Sequence, residues 1–274
     1  MPHSPVSLRF FLGGHDLEMI EIGELLREAG LGSRIVDRGL VWGARASMLA
    51  DDIVAAVAAG DAPVLVELLD DLPDTVDRSR LIEIDHHGPR AGHGRPTSLE
   101  QIHDLVGRQA GLTWTRRRAL VAANDRGHAA AMRAMGASAE EIRAIRDADR
   151  RAQGISAEIE AESHRAVADA TTHGPLLAIE TTAPTASAVH DFLLTEYGGP
   201  DPMDVLVATV ANWSFSGDGR VIADLSTIPG CWYGGDLPAR GFWGAPRNAI
   251  GREALIARIL EALRPASPTD VPSR

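Results

Sequence analysis

The chain has 274 residues, 45% of them hydrophobic and 24% charged, with a formal net charge of -11 when histidine is neutral. That length allows one large or two modest domains with ample core, and no apolar stretch approaches the roughly 20 residues a bilayer span needs. The acidic balance argues against long nucleic acid, which needs a broad basic surface, but leaves room for a short nucleotide held by a few arginines and a metal.

In the first half, short apolar runs alternate with amphipathic helical patterns. This predicts an α/β fold, a mostly parallel sheet flanked by helices. Ser7 to Leu12 reads as the first strand, and Gly13-Gly14 turns it into a helix from Asp16 to Ala29 with Met19, Ile22, Leu25 and Leu26 at helical spacing. Arg34 to Val36 is a second strand, followed by a helix over Ala46 to Ala59. Pro63 to Leu68 is a third strand and Leu81 to Ile84 a fourth. Helices over Ser98 to Ala110 and Thr115 to Asn124 follow, the former with Ser98 and Gln101 in capping-box spacing.

Ser138 to Ala170 is charged and helical, broken at Gly154, and opens with a capping-box signature. It reads as a solvated connecting pair of helices. His164 and His173 have no acidic partner at ligand spacing. Beyond Gly174 the texture changes to a smaller C-terminal α+β domain. Strands are expected at Leu176 to Glu180, Val205 to Val210 and Val221 to Leu225, with helices over Thr185 to Glu196 and Ile250 to Leu263. Between them lies a segment rich in glycine and aromatics, Pro229 to Pro246, and residues 265–274 read as a frayed tail. The expected domains are therefore 1–137, a connector 138–174, and 175–274. A single cysteine, Cys231, excludes a disulfide framework and a cysteine-rich zinc site, and fits a reducing cytoplasm. Met1 to Ser7 lacks the basic flank and apolar core of a signal peptide.

Four segments end in acids or histidines. The first strand delivers Gly13-Gly14-His15-Asp16-Leu17-Glu18, in which Asp16 and Glu18 are two apart and able to face one point. Hard divalent cations want such oxygen ligands, although Asp16 alone reads equally as a helix cap. The third strand ends at Glu67, with Asp70 and Asp71 behind it; a glutamate in an apolar run is costly to bury without a partner. The fourth strand ends in Asp85-His86-His87, and Leu120 to Ala123 leads to Asn124-Asp125. Strand ends converge at one edge of an open α/β sheet. Together the four segments fit a two-metal site in which carboxylates bridge and flank two cations.

These residues, in this order, resemble the DHH phosphoesterase superfamily. Asp16-Leu17-Glu18 resembles its first motif, Glu67 stands in place of the aspartate of the second, Asp85-His86-His87 matches the name-giving triplet, and Asp125 resembles the aspartate of the fourth. The Pro96-Thr97-Ser98 segment opening a helix after the triplet is similar too. The resemblance implies two manganese-type ions, or magnesium or cobalt, held by Asp16, Glu18, Glu67, His86 and Asp125. It implies that Asp85 orients a histidine and that His87 sits near the scissile phosphate as general acid or phosphate contact. A water activated by the metals would be the nucleophile. Tyr233 to Gly241 resembles the substrate loop of the associated C-terminal domain, and marks Gly234, Gly235, Asp236 and Arg240 as substrate-binding residues. An ordinary glycine-rich turn over a core of Trp232, Phe242 and Trp243 reads equally well.

The sequence also departs from the family. Leu12 stands where a histidine is usual, four residues before Asp16, and His15 is its candidate replacement as a metal ligand. Glutamates at 18 and 67 replace aspartates, with Asp70 as the fallback for Glu67. Trp213 and Trp243 read as core, or as platforms for a base. The expectation is a cytoplasmic metal-dependent phosphoesterase acting on a small phosphorylated substrate, a short oligonucleotide or cyclic nucleotide ahead of pyrophosphate. A homodimer is allowed, while long nucleic acid and membranes are not expected as partners. A fold that kept ligand binding but lost catalysis, and a metal-dependent hydrolase of a non-phosphate bond, stand as alternatives.

Overall fold

The protein is described from a computed structural model covering residues 7–92, 94–201 and 203–264; the tail expected at 265–274 lies outside them. Among the described residues two compact units form, one of residues 7–90 with 94–154, the other of residues 155–201 and 203–264 with 91–92.

The first unit runs β1 (Leu8–Leu12), α1 (Leu17–Glu28), β2 (Ile35–Val36), α2 (Ala50–Ala58), β3 (Ala62–Val66), β4 (Ile82–Ile84), α3 (Ser98–Ile102), α4 (Arg116–Ala134) and α5 (Ala139–Ala152). The sheet order is β2-β1-β3-β4, with every pair parallel. Both Phe10 and Phe11 are fully buried, and so are all five residues of β3. Burial on both faces is what a parallel strand in a helix-covered sheet requires. One face is filled by Phe11 and Leu65 against Leu49, Ile53 and Ala56 of the α2 region. Alternation sends Phe10, Leu12, Val64 and Val66 to the other face, where they too are buried. Helices α1, α3, α4 and α5 pack on one another.

The second unit runs α6 (Ala157–Ala168), β5 (Thr171–His173), β6 (Leu176–Glu180), α7 (Ser187–Phe192), β7 (Asp204–Ala208), β8 (Asn212–Asp218), α8 (Gly219–Leu225), β9 (Trp232–Gly234), β10 (Arg240–Pro246) and α9 (Arg252–Ala262). Its six strands are ordered β5-β6-β7-β8-β10-β9, with only β6 and β7 parallel. Helices α8 and α9 pack Val221, Ile222, Leu225, Leu255 and Ile259 onto Phe215, Trp213 and Trp243. Val189 and Leu193 cover the opposite face at Val205 and Val207. The α/β class with a smaller mixed-sheet domain is as expected. Among the described residues no helix is long and apolar enough to cross a membrane.

Several elements differ from expectation. Val221 to Leu225, expected as a strand, is helix α8, capped by the Asp218 side chain on the Arg220 amide. A five-residue apolar run is too short for periodicity to separate strand from helix. The 138–174 stretch divides: α5 packs against α1 and α4, and α6 against α7. The box at α3 is Thr97 with Glu100, one residue earlier than expected. The helix from Ser98 is α only to Ile102 and widens into a π turn over His103–Gly107.

Two outcomes test this packing. Gly13 follows β1 where a Cβ would stand 2.5 Å from the Glu67 carbonyl oxygen and 2.6 Å from that of Val66. Gly13→Ala should cost about 1–3 kcal/mol in urea unfolding, because backbone rather than a pliable side chain must yield. At the start of α5, Glu141 is held down at about 2 by Arg116 and by the Ser138 amide. Its folded pKa lies below the ordinary 4.5, so its contribution is present above that value and is lost as pH falls toward 2. Stability of the wild type should therefore decline relative to Glu141→Gln across that window, read by thermal unfolding at stepped pH.

Candidate metal centre

In the first unit all four strands are parallel, so their carboxyl ends lie along one edge, and the segments carrying Asp16 and Glu18, Glu67, and Asp85 to His87 begin there, while Asp125 comes from a helix. The chain leaves β1 through two glycines. Gly13 lies against the end of β3, and a Cβ on Gly14 would stand 2.7 Å from the Trp42 Cα. A side chain at Gly13 would collide with the end of β3, and one at Gly14 with the loop at Val41 and Trp42. Asp16 then caps α1, accepting from the Met19 amide at 2.9 Å. Glu18, in the first turn, is 2% exposed and accepts from the Leu99 amide at 2.9 Å. That amide is an otherwise unpaired donor in the first turn of α3, which is why the helix after the triplet matters.

Glu67 directly follows β3 with φ of 51°. A glutamate in the left-handed region is strained, and such strain clusters at functional sites. Its Oε1 lies 3.4 Å from the Nε2 atoms of both His86 and His87. His86 Nε2 is 3.6 Å from Glu18 Oε2 and in close contact with Asp125 Oδ2. Asp125 comes from α4, whose helical geometry breaks immediately afterwards at Gly127 and His128. Donor atoms of Glu67, His86, His87 and Asp125 all lie within 4.8 Å of one another. Glu18 Oε2, Glu67 Oε1, His86 Nε2 and Asp125 Oδ2 are buried with no hydrogen bond of proper geometry. Orphaned lone pairs converging from four segments are what a cation site presents.

The electrostatics say the same. Burial, and then the neighbouring Asp125, push the Glu18 carboxyl up to about 8. Burial followed by Glu67, Asp125 and Asp149 raises Asp16 well above the carboxylate range. Burial would lower His86, but Asp125, Glu18 and Glu67 outweigh it and the imidazole is raised. Burial would lower His87 too, and there Glu67 is the main group that overcomes it. Burial would raise Glu67, but the two imidazoles prevail and hold it low. The surrounding acids thus favour positive charge at His86 and His87, as they would favour a cation.

Other candidates lie apart from the cluster. His15 is exposed, with Nδ1 3.2 Å from the Ala152 carbonyl, and does not join it. Leu12, where the family places a histidine, is buried at the end of β1. Asp70 pairs with Arg78 and accepts from the Leu72 amide. Asp85, expected to orient a histidine ring, accepts the His87 backbone amide at 2.9 Å and pairs with Arg90. Following a short strand, its carboxylate closes a turn back on its own chain. His87, expected beside the substrate phosphate, stands among the potential ligands. In the second unit Gly234, Gly235 (φ 102°) and Asp236 open the β9–β10 connection, and Arg240 donates to the Met203 carbonyl. Trp213 and Trp243 are core, their indoles donating to the carbonyls of Arg247 and Leu225.

One part of the surroundings went unforeseen. Arg146, 2% exposed on α5, donates to Asn124 Oδ1 at 3.0 Å and to Asp149 Oδ2 at 2.6 Å. Asp149 in turn accepts the Leu17 amide at 3.2 Å. This network fixes the residue before Asp125 and the residue after Asp16. Its signal lay in the apolar stripe of Ile142 and Ile145, which continues onto Arg146 and Asp149. Arg146→Met should cost about 3–5 kcal/mol by stranding a buried aspartate, measured by denaturant unfolding, and should weaken metal retention with it.

No family model and no curated protein matches the sequence. Solved structures are similar at low identity. A DHH-domain protein, described as belonging to a family of ribosomal proteins, is 14% identical over 93% of this chain and 86% of its own, at a TM-score of 0.49. The manganese-bound exonuclease RecJ is 13% identical over 96% and 92%, at 0.42. A pGpG-specific phosphodiesterase from Vibrio cholerae is 12% identical over 93% and 99%, at 0.35. In motif order, and in the meeting of Glu18, Glu67, the triplet and Asp125 at one point, the chain resembles a divergent member of the DHH phosphoesterase superfamily.

Proposed function

We propose that the protein is a metal-dependent phosphoesterase acting on a small phosphorylated substrate, a short oligonucleotide or cyclic nucleotide by preference. One observation carries this reading: buried atoms of Glu18, Glu67, His86 and Asp125, from four segments and without hydrogen-bond partners, face one another, with Asp16 and His87 beside them. Asp16, Glu18, Glu67, His86, His87 and Asp125 would hold divalent cations, which when bound supply Lewis acidity toward a phosphoryl oxygen and lower the pKa of a water. A mixed carboxylate and imidazole set suits manganese or cobalt better than magnesium, which prefers oxygen alone and retains its waters.

The chain's own groups do the positioning. Met19 and Leu99 amides hold Asp16 and Glu18, so neither carboxylate must reorganise to take a cation. The Asp85 carboxylate fixes the His87 backbone. In the second unit, the Gly234-Gly235-Asp236 turn and Arg240 are the proposed phosphate contacts, since glycine amides and a guanidinium suit phosphate oxygens.

Metal content of manganese-loaded, desalted protein tests the reading. About two ions per chain, with a raised melting temperature, is the expected result. No retained ion and no thermal shift would mark a binder without this chemistry, and metal without activity on any phosphoester would mark another hydrolase. Asp125→Ala should lose activity by at least ~100-fold and shed metal while remaining folded. His87→Ala should lose metal as well as turnover; retention of metal with lost turnover would return His87 to the substrate side.

A further inference from the structure

In the second unit β6 and β7 are the parallel pair, with α7 in the crossover between them, and the chain leaves their carboxyl ends at Thr181 and Thr209. Strand ends of this kind are where open α/β sheets hold ligands. A cavity of about 370 Å³ opens there, its lining including Glu162, Glu180, Thr181, Thr182, Val210 and Arg247. It lies at the far end of the sheet from the Gly234–Asp236 turn. β10 runs from Arg240, opposite Asp218, to Pro246, opposite Asn212, and it is the latter end that adjoins Ala208 of β7.

Arg247 is held in a fixed position. Its guanidinium carbon lies 4.1 Å from the centroid of the buried Trp213 ring, and its Nη1 donates to the Thr209 carbonyl at 3.2 Å. Those contacts occupy one face and one N–H, and among the described residues no acid pairs with it. A guanidinium placed so firmly without a counter-ion is a prepared anion contact. Another part of the lining is acidic. Glu162 accepts the Thr182 amide at 3.1 Å and the Thr181 hydroxyl at 3.4 Å, and pairs with Arg165 at 2.8 Å. The Thr182 contacts, then Arg165, hold its carboxyl down at about 2, so it is ionised wherever the protein is folded. Glu180, beside it in the lining, pairs with Arg252 at 3.1 Å.

Two acids and one arginine thus face one cavity. A dianion such as a phosphate monoester is repelled by that wall, and a simple carboxylate uses only Arg247. A molecule carrying both an ammonium and a carboxylate uses the whole of it. We infer that the cavity binds a free α-amino acid, its carboxylate on Arg247 and its ammonium at Glu162 and Glu180. Ala208 and the exposed Val210, the apolar part of the lining, favour an aliphatic side chain. This site is independent of the chemistry at the cluster in the first unit.

Thermal unfolding and calorimetry of the full chain, with each standard L-amino acid in turn, test the inference. An aliphatic amino acid should raise the melting temperature saturably. Its analogues lacking the amino group or the carboxylate should each bind the wild type at least about tenfold more weakly. Arg247→Met should weaken the amino acid by about tenfold or more, and Glu162→Gln should weaken it while leaving the deaminated analogue unchanged. Binding of no amino acid would overturn the inference. So would equal affinity for the deaminated analogue, which would mark a plain carboxylate site, or unchanged affinity in a folded Arg247→Met. If that variant fails to fold, the analogue comparison on the wild type decides.

Discussion

Burying like charges together is the constraint on which the first unit turns. Asp16, Glu18, Glu67 and Asp125 approach one another out of water with only two imidazoles among them. Each unpaired buried carboxylate costs several kcal/mol, so without neutralisation the arrangement would oppose folding. The neutralisation in the protein itself is proton uptake: Glu18 is pushed up to about 8, and His86 is raised by the acids around it. Amides from two helix starts stabilise Asp16 and Glu18 further. A cation would satisfy the same need more completely, so its binding free energy would add directly to stability.

The backbone shows the same demand in another form. Donors reach one point only if β1 and β3 deliver their ends closely, and Gly13 is where that closeness leaves no room for a Cβ. Glu67 adopts a positive φ that glycine would take without strain. A glutamate kept there, rather than a glycine, means that its carboxylate matters more than the local cost. The break of α4 just past Asp125 belongs to the same pattern, since the helix keeps its geometry through the residue that reaches the cluster.

Much of this was legible in the sequence, for identifiable reasons. Fully buried parallel strands write themselves as apolar runs, so β1, β3 and β4 and the acids at their ends could be read directly. The strand β8 was legible in principle, because Trp213 and Phe215 alternate with serines, but its polar residues hid it among glycine-rich sequence. Helix α8 was not, its apolar run being shorter than the period needed to tell helix from strand. The Arg146–Asp149 pair was hidden by its own charge: a face of α5 rich in arginine and aspartate reads as solvated until its partner Asn124 is known. The failure of His15 and the inclusion of His87 are matters of side-chain direction, which spacing alone does not carry.

The departures of this chain from the usual motifs look at first like decay. A ligand site that is decaying should lose the elements that hold its residues, since those elements are costly and serve nothing else. Here the opposite holds at each altered position. The longer arm of Glu18 is met by an amide from α3, and its free oxygen still lies 3.6 Å from His86. The longer arm of Glu67 comes with a strained backbone that places its oxygen equally near both imidazoles. The missing histidine at Leu12 leaves a well-packed apolar side chain, not a cavity. Each altered position is thus held by structure of its own, and a cation bound there would relieve the cost of burying these acids together.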